Sequence, residues 1–261
     1  MPSTYAHFRF GKEVYRSLPK PVRDIIRENK SLYMTGLHGP DILFYYKALF
    51  PNHVNKIGFA MHARKASEFF APSLGDLSEE QKSYIFGFIC HFALDSACHG
   101  YIDEKIAASK VTHTEIEVEF DRMLMIKDGY NPVRHRLTGH ILASIENSRV
   151  ISSFFEGVTA KEVKRALWSM KFYNNLLIAP FMTQRFVVYF LLLATGNYKE
   201  MHGLLVNRKA NPKCSDSNQE LYRRYRKAVS LAVELIENYC GVLAGEQEEL
   251  LPYFERTFGA Q

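Results

Sequence analysis

No apolar run in the sequence reaches the ~18 residues that a membrane span requires. The longest, Phe186 to Ala194, is about half that length and is expected to form a buried helix. Tryptophan occurs once, at Trp168, and glycine (15) and proline (10) are too few for collagen or a low-complexity chain. The four cysteines (Cys90, Cys98, Cys214, Cys240) form no Cys-x-x-Cys pair, which excludes a disulfide framework and a thiolate zinc knuckle and leaves reduced, mostly buried thiols. The opening residues, Met1-Pro-Ser-Thr-Tyr-Ala-His7, lack a basic segment followed by an apolar one, so the expected location is cytoplasmic. Evenly spaced Asn-Gly or Asp-Gly hairpin signals are missing too, and with them the case for a β fold.

What is present describes a globular chain of 261 residues, 47% hydrophobic and 23% charged, long enough to bury a substantial core. The net charge of +5 is uneven: residues 1–120 carry 14 Lys and Arg against 14 Asp and Glu, residues 121–261 carry 19 against 14. Arg134-His135-Arg136 and Arg223-Arg224-Tyr225-Arg226-Lys227 contribute to that excess and read as solvated faces. Long apolar stretches without alternation predict an all-α, multi-helix bundle. Helices are expected from Tyr5 to before Pro19, over 21–33, 57–71, 79–104, 112–127, 132–154, 159–177, 180–195 and 218–243, with a short one at 246–257. Ser78-Glu-Glu-Gln81, Thr112-His-Thr-Glu115 and Thr159-Ala-Lys-Glu162 each fit a capping box. Only Asn207 to Asn218 reads as a linker, so residues 1–261 are expected to form one domain, with 126–261 packed as additional helices on 1–125.

Seven of the ten histidines lie in the first 113 residues. In His91-Phe-Ala-Leu-Asp95-Ser-Ala-Cys-His99, three polar groups recur every fourth residue, which places them on one side of a helix with a drift of roughly 40° per step. His113-Thr-Glu-Ile-Glu117 repeats the spacing. Imidazole and carboxylate tips at that spacing reach a shared cation, and this is the ligand chemistry zinc accepts. The apolar neighbours Phe88, Ile89, Phe92 and Leu94 bury His91 and Asp95, so the pair is either metal-bound or a hydrogen-bonded core pair. Taken alone, Asp41 reads as a helix cap, and His7 and His62 as packing residues.

As a set these residues resemble the zinc-dependent phospholipase C / S1-P1 nuclease superfamily, and within it the zinc-dependent phospholipase C-like proteins. The resemblance covers residues 1–125: His7, the turn Gly36-Leu-His-Gly-Pro-Asp41, His62, His91 with Asp95 and His99, then His113 with Glu117, in the family's order. It implies an all-α bundle of the phospholipase C / P1 nuclease type holding two to three zinc ions. One zinc would take Asp41, His62, His91 and Asp95; a second would take His7 with Asp95 bridging; a third would take His99, His113 and Glu117. Secreted members complete the second site with an N-terminal tryptophan, which this sequence lacks; loss of Met1 would instead leave the amine of Pro2 five residues before His7. His38 is an additional imidazole three residues before Asp41 and reads first as a loop histidine.

The implied activity is a zinc-dependent hydrolase of phosphoric esters, cleaving a phospholipid headgroup or small phosphodiester by metal-activated hydroxide, with Asp41 as the catalytic group that orients or deprotonates the nucleophile. A 3′-nucleotidase or single-strand nuclease acting on nucleic acid is the alternative with the same metals, and a non-catalytic helical protein with a structural metal cluster is the alternative from another class. Transient contact with a membrane surface follows if the substrate is a phospholipid. Cys90 and Cys98 are expected to face the packed side of their helix; His53, His135, His140 and His202 are expected at the surface or in loops, and Tyr45, Tyr46, Phe69 and Phe70 in the core.

Overall fold

The computed structural model describes residues 4–194, 196 and 202–259. Its helices are α1 (Thr4–Ser17), α2 (Lys20–Glu28), α3 (Lys30–Gly36), α4 (His53–His62), α5 (Ser67–Phe70), α6 (Glu79–Ala108), α7 (His113–Lys127), α8 (Ile145–Ser152), α9 (Ala160–Ile178), α10 (Met182–Ala194) and α11 (Ser215–Leu243). A 3-10 turn occupies Gly39–Tyr45. Among the described residues there is no strand, only one isolated bridge between Lys65 and Thr257. The fold is therefore all-α.

α6 is the spine. Every residue from Ser83 to Asp95 is buried, which is what a helix apolar on all sides requires: it must be covered on all of them. α3 covers one side at backbone distance. A Cβ on Gly36 would lie 2.2 Å from the Tyr84 carbonyl oxygen, and one on Gly87 2.2 Å from that of Tyr33, so only glycine permits this crossing. α1, α7 and α11 pack against other parts of α6, and one continuous apolar core runs from Tyr5 to Phe258. The three expected capping boxes all form, with the hydroxyls of Ser78, Thr112 and Thr159 accepting from the third helical amide and Gln81, Glu115 and Glu162 reaching back.

Several local expectations are corrected. The 21–33 helix breaks at Asn29, whose side-chain amide donates to the Ile25 carbonyl (3.2 Å) and whose backbone leaves helical geometry. The 57–71 helix begins earlier, at His53, because Asn52 caps it, and stops at His62. Only Ile145–Ser152 of the 132–154 span is helical: Ser144 caps there by accepting from the Asn147 amide. The 246–257 span holds only the 3-10 turn Pro252–Glu255. The linker expected at 207–218 is half helix, since α11 starts at Ser215.

The largest correction concerns α10. It forms where expected but is not buried: Phe186, Val187, Phe190, Leu191 and Leu193 are exposed, and within this helix Val188 is its buried apolar contact. It rests on a small satellite cluster of Ala179, Val188 and Leu205. Hydropathy reports a helix's wish for an apolar neighbour and says nothing of whether the chain supplies one. No helix among the described residues is long and apolar enough to cross a membrane.

Candidate metal centre

Four elements converge on one region of α6. Each is held by a contact that the local sequence makes. α1 starts where it does because Asp121 of α7 accepts the backbone N–H groups of Tyr5 (2.9 Å) and Ala6 (2.8 Å), two of the amides that a helix start leaves unpaired. That cap places His7 against α6, its ring stacked on His91 with centroids 4.5 Å apart. The 3-10 turn enters through Gly39 at φ +46°, where a Cβ would lie 2.2 Å from His91 Cδ2; glycine allows both the backbone conformation and the approach. Two residues on, the turn delivers Asp41, buried. His62 ends α4, and its Nδ1–H donates to the Gly58 carbonyl one turn back (3.0 Å), which leaves Nε2 free to face Asp41.

α7 begins at its capped residue with His113, so that His113 and Glu117 stand one turn apart with Nε2 and Oε1 separated by 3.2 Å. His99 is fixed from far away. Its Nδ1–H donates to the Phe258 carbonyl (3.1 Å), aiming Nε2 at Glu117 (3.5 Å). A backbone acceptor on the far nitrogen is the arrangement that sets the tautomer of a metal-ligating histidine.

The eight side chains fall into three groups able to hold a metal ion: His7, His91 and Asp95; Asp41, His62 and His91; His99, His113 and Glu117. His91 stands in two of them. Asp95 is the other link, with Oδ1 3.1 Å from His7 Nε2 and Oδ2 3.2 Å from His91 Nε2, 3.8 Å from His99 Nδ1 and 4.0 Å from His62 Nε2. The His91 side chain is fully buried, whereas His62 is 20% and His113 35% exposed. Solvent therefore reaches the centre from the His62 and His113 sides, beside the stacked rings of Phe44 and Phe59.

These residues fit zinc on their hydrogen bonding. His62 Nε2 and Asp41 Oδ1 approach to 3.1 Å, and His91 Nε2 and Asp95 Oδ2 to 3.2 Å, yet all four atoms are buried without a hydrogen-bond partner, as is His113 Nε2. Unpaired buried acceptors are costly. A cation between such an imidazole nitrogen and carboxylate oxygen would satisfy both. Two ligands at ~2.0–2.2 Å from one tetrahedral zinc are themselves about 3.3 Å apart, close to the separations found.

The electrostatics agree. Burial alone would raise the Asp95 carboxyl, but the imidazoles of His91, His99 and His7 hold it well below its usual range. Burial lowers the His91 imidazole. At His99 burial also works against the charge, yet the Asp95 and Glu117 carboxylates outweigh it and push the imidazole up to about 9. Negative charge is thus stored at Asp95 and Glu117, and each waits beside several imidazoles.

A model of the zinc-dependent phospholipase C family matches residues 6–169, more than half of the sequence and all eight of these side chains. The chain belongs to that family. No curated protein and no solved structure matches it. The family match ends within α9, and α10, α11 and Phe258 lie beyond it.

Other expectations resolve as follows. Cys90 and Cys98 are buried; burial pushes the Cys90 thiol up to about 12, its Sγ lies 3.4 Å from the Tyr33 hydroxyl, and neither cysteine stands in the three groups able to hold a metal. Tyr45, Tyr46 and Phe70 are buried and Phe69 packs half-buried against the core. His53 is exposed, His202 half-buried, and His135 stacks on Tyr130. His38 is not a free loop histidine: it is buried, and its Nε2 lies 2.7 Å from Nε2 of His140, which stacks on Phe8. Met1 and Pro2, whose amine the resemblance offers as a ligand, lie outside the described residues.

Sequence reasoning missed the supports: Asp121, Gly58, Phe258 and His140. It also missed Asn174 of α9, which accepts from the Thr4 hydroxyl (3.0 Å) and donates to the Tyr45 hydroxyl (3.1 Å), tying the start of α1 to the Asp41 turn. The i, i+4 pattern that exposed the ligands has no counterpart for partners this distant in the chain.

Proposed function

We propose that the chain is a zinc-dependent phosphoesterase of the phospholipase C type that cleaves a phospholipid headgroup or related phosphodiester. The observation that carries this reading is the convergence of buried, unpaired ligand atoms at Asp41, His62, His91 and Asp95. His7, Asp41, His62, His91, Asp95, His99, His113 and Glu117 would hold two or three zinc ions, with Asp95 bridging. Zinc supplies Lewis-acid polarisation of a phosphoryl oxygen and activation of water. The remaining work belongs to the chain. The Asp95 carboxylate, within reach of His7 and His91, would screen the repulsion between cations held on either side of it. Asp41, rigid at the head of its turn, orients the attacking water and takes its proton. Buried His91 and the Phe44 ring keep bulk water from the inner side, while the open His62 and His113 sides admit the phosphoester. The continuous core supports reading residues 1–261 as one domain, with 126–261 a second layer on the first.

Elemental analysis of protein purified without chelator tests the reading. Two or three zinc per chain, with hydrolysis of a chromogenic phosphodiester, is the expected result; zinc-free protein that stays so after zinc is added back would sink it. His91→Ala is expected to lose both metal and turnover.

A further inference from the structure

The surface formed by α9 and α10 exposes apolar side chains in an ordered array. On α9, Trp168 (59% exposed), Phe172 (62%) and Leu176 recur every fourth residue along one stripe. The stripe runs into a cleft that Leu176 shares with Pro180 and Val187; Phe181, just before α10, is exposed, and α10 exposes Met182, Phe186 (71%) and Phe190. Contiguous apolar surface of this extent is rare unless something covers it.

The charge around it identifies the occupant. Between Val163 and Ser215 the sequence carries eight Lys and Arg and one acidic residue. Of the eight, Arg185 is buried, donating to the carbonyls of Ala179 and Val206, but Arg165, Arg208, Lys209 and Lys213 are exposed. Arg208 is placed at the rim itself: its guanidinium donates to the Pro180 carbonyl at the α9–α10 junction (2.8 Å), and with Arg134 it lines a second hollow that meets the cleft at Pro180. Apolar rings bordered by cations, on a helix too short to span a bilayer, are the composition of an interfacial lipid-binding helix. A second copy of this chain would bring the same cations face to face with themselves.

We infer that the α9–α10 face docks on an anionic lipid bilayer, with Phe186 and Phe190 in the acyl boundary and Arg208 at the headgroups. α9 also packs against the turn that carries Asp41, so docking sets the metal centre close to the membrane. The inference rests on the phospholipid reading for its purpose, and its binding test needs no turnover.

Trp168, the only tryptophan, reports directly. The full-length, zinc-loaded protein is mixed with vesicles of equal phosphatidylcholine and phosphatidylglycerol, and with phosphatidylcholine alone. The expected result is co-sedimentation with the anionic vesicles, a blue shift of Trp168 emission, and weakening by salt. Phe186→Ser and Phe190→Ser should each weaken partitioning about tenfold, with helical circular dichroism and hydrolysis of a water-soluble phosphodiester unchanged. Three outcomes would overturn the inference: no binding, binding untouched by both substitutions together, or a wild-type dimer that Phe186→Ser dissociates. Vesicle binding without any phosphoester hydrolysis would remove the enzyme reading and leave docking intact; soluble turnover without vesicle binding would do the reverse.

Discussion

The centre on α6 and the α9–α10 face break opposite rules of folding in water. The first buries carboxylate and imidazole atoms of Asp41, His62, His91 and Asp95 without a hydrogen-bond partner; the second leaves phenylalanines in solvent. Each is expensive in an isolated chain, and each becomes reasonable when the missing neighbour is supplied, a cation in one case and lipid in the other. Departures from the ordinary inside–outside pattern therefore locate function better than the pattern itself.

The two regions differ in what should happen when the neighbour is withheld. Asp95→Ala removes the carboxylate that lies within 4.0 Å of four imidazoles and is expected to have the largest effect: zinc content falls and phosphodiester hydrolysis is lost. A wild-type metal load in that variant would refute the bridging role. Chelation is next. If zinc binds a thousandfold above its dissociation constant, its removal costs about 4 kcal/mol, or roughly 10 °C in melting temperature for a chain of this size, read by a thermal melt with and without EDTA. Withholding lipid from the α9–α10 face acts through the same linkage and should lower the melt by less than removing zinc does, because reversible interfacial binding is weaker.

Smaller effects sharpen the comparison within the centre. Gly39→Ala places a methyl group against His91 and is expected to lower zinc affinity by about 10- to 100-fold, measured by competition with a chromogenic chelator. Asp121→Ala uncaps Tyr5 and Ala6 at a cost of roughly 1–3 kcal/mol and loosens His7, visible as a lower urea midpoint. Cys98→Ala, beside the ligands but no ligand itself, should cost about 1 kcal/mol and keep full zinc content; a loss of metal there would mean that the thiol is used after all.

The grouping of the candidate ligands was legible because side chains on helices obey the helical repeat: His91, Asp95 and His99 stand at every fourth position, and His113 with Glu117 likewise, and the structure brings each set together. Helix starts were legible for the same local reason, as Ser78, Thr112 and Thr159 illustrate. What stayed hidden is non-local. Nothing around Asp121 says that its carboxylate caps a helix 116 residues earlier in the chain, and nothing around His140 says that it meets His38. The exposure of α10 was misread because a mean hydropathy is the same whether Phe186 faces a core or a bilayer.

The contact between His99 and the Phe258 carbonyl has a consequence for the order of events in the cell. During synthesis all eight candidate ligands are made by residue 117, yet the acceptor that orients His99 follows 159 residues after it. The same late segment is tied down by the Ala66 amide, which donates to the Arg256 carbonyl (2.8 Å). The His99, His113 and Glu117 group is therefore completed last: its side chains are made early, but His99 takes its orientation only when this later segment closes over it.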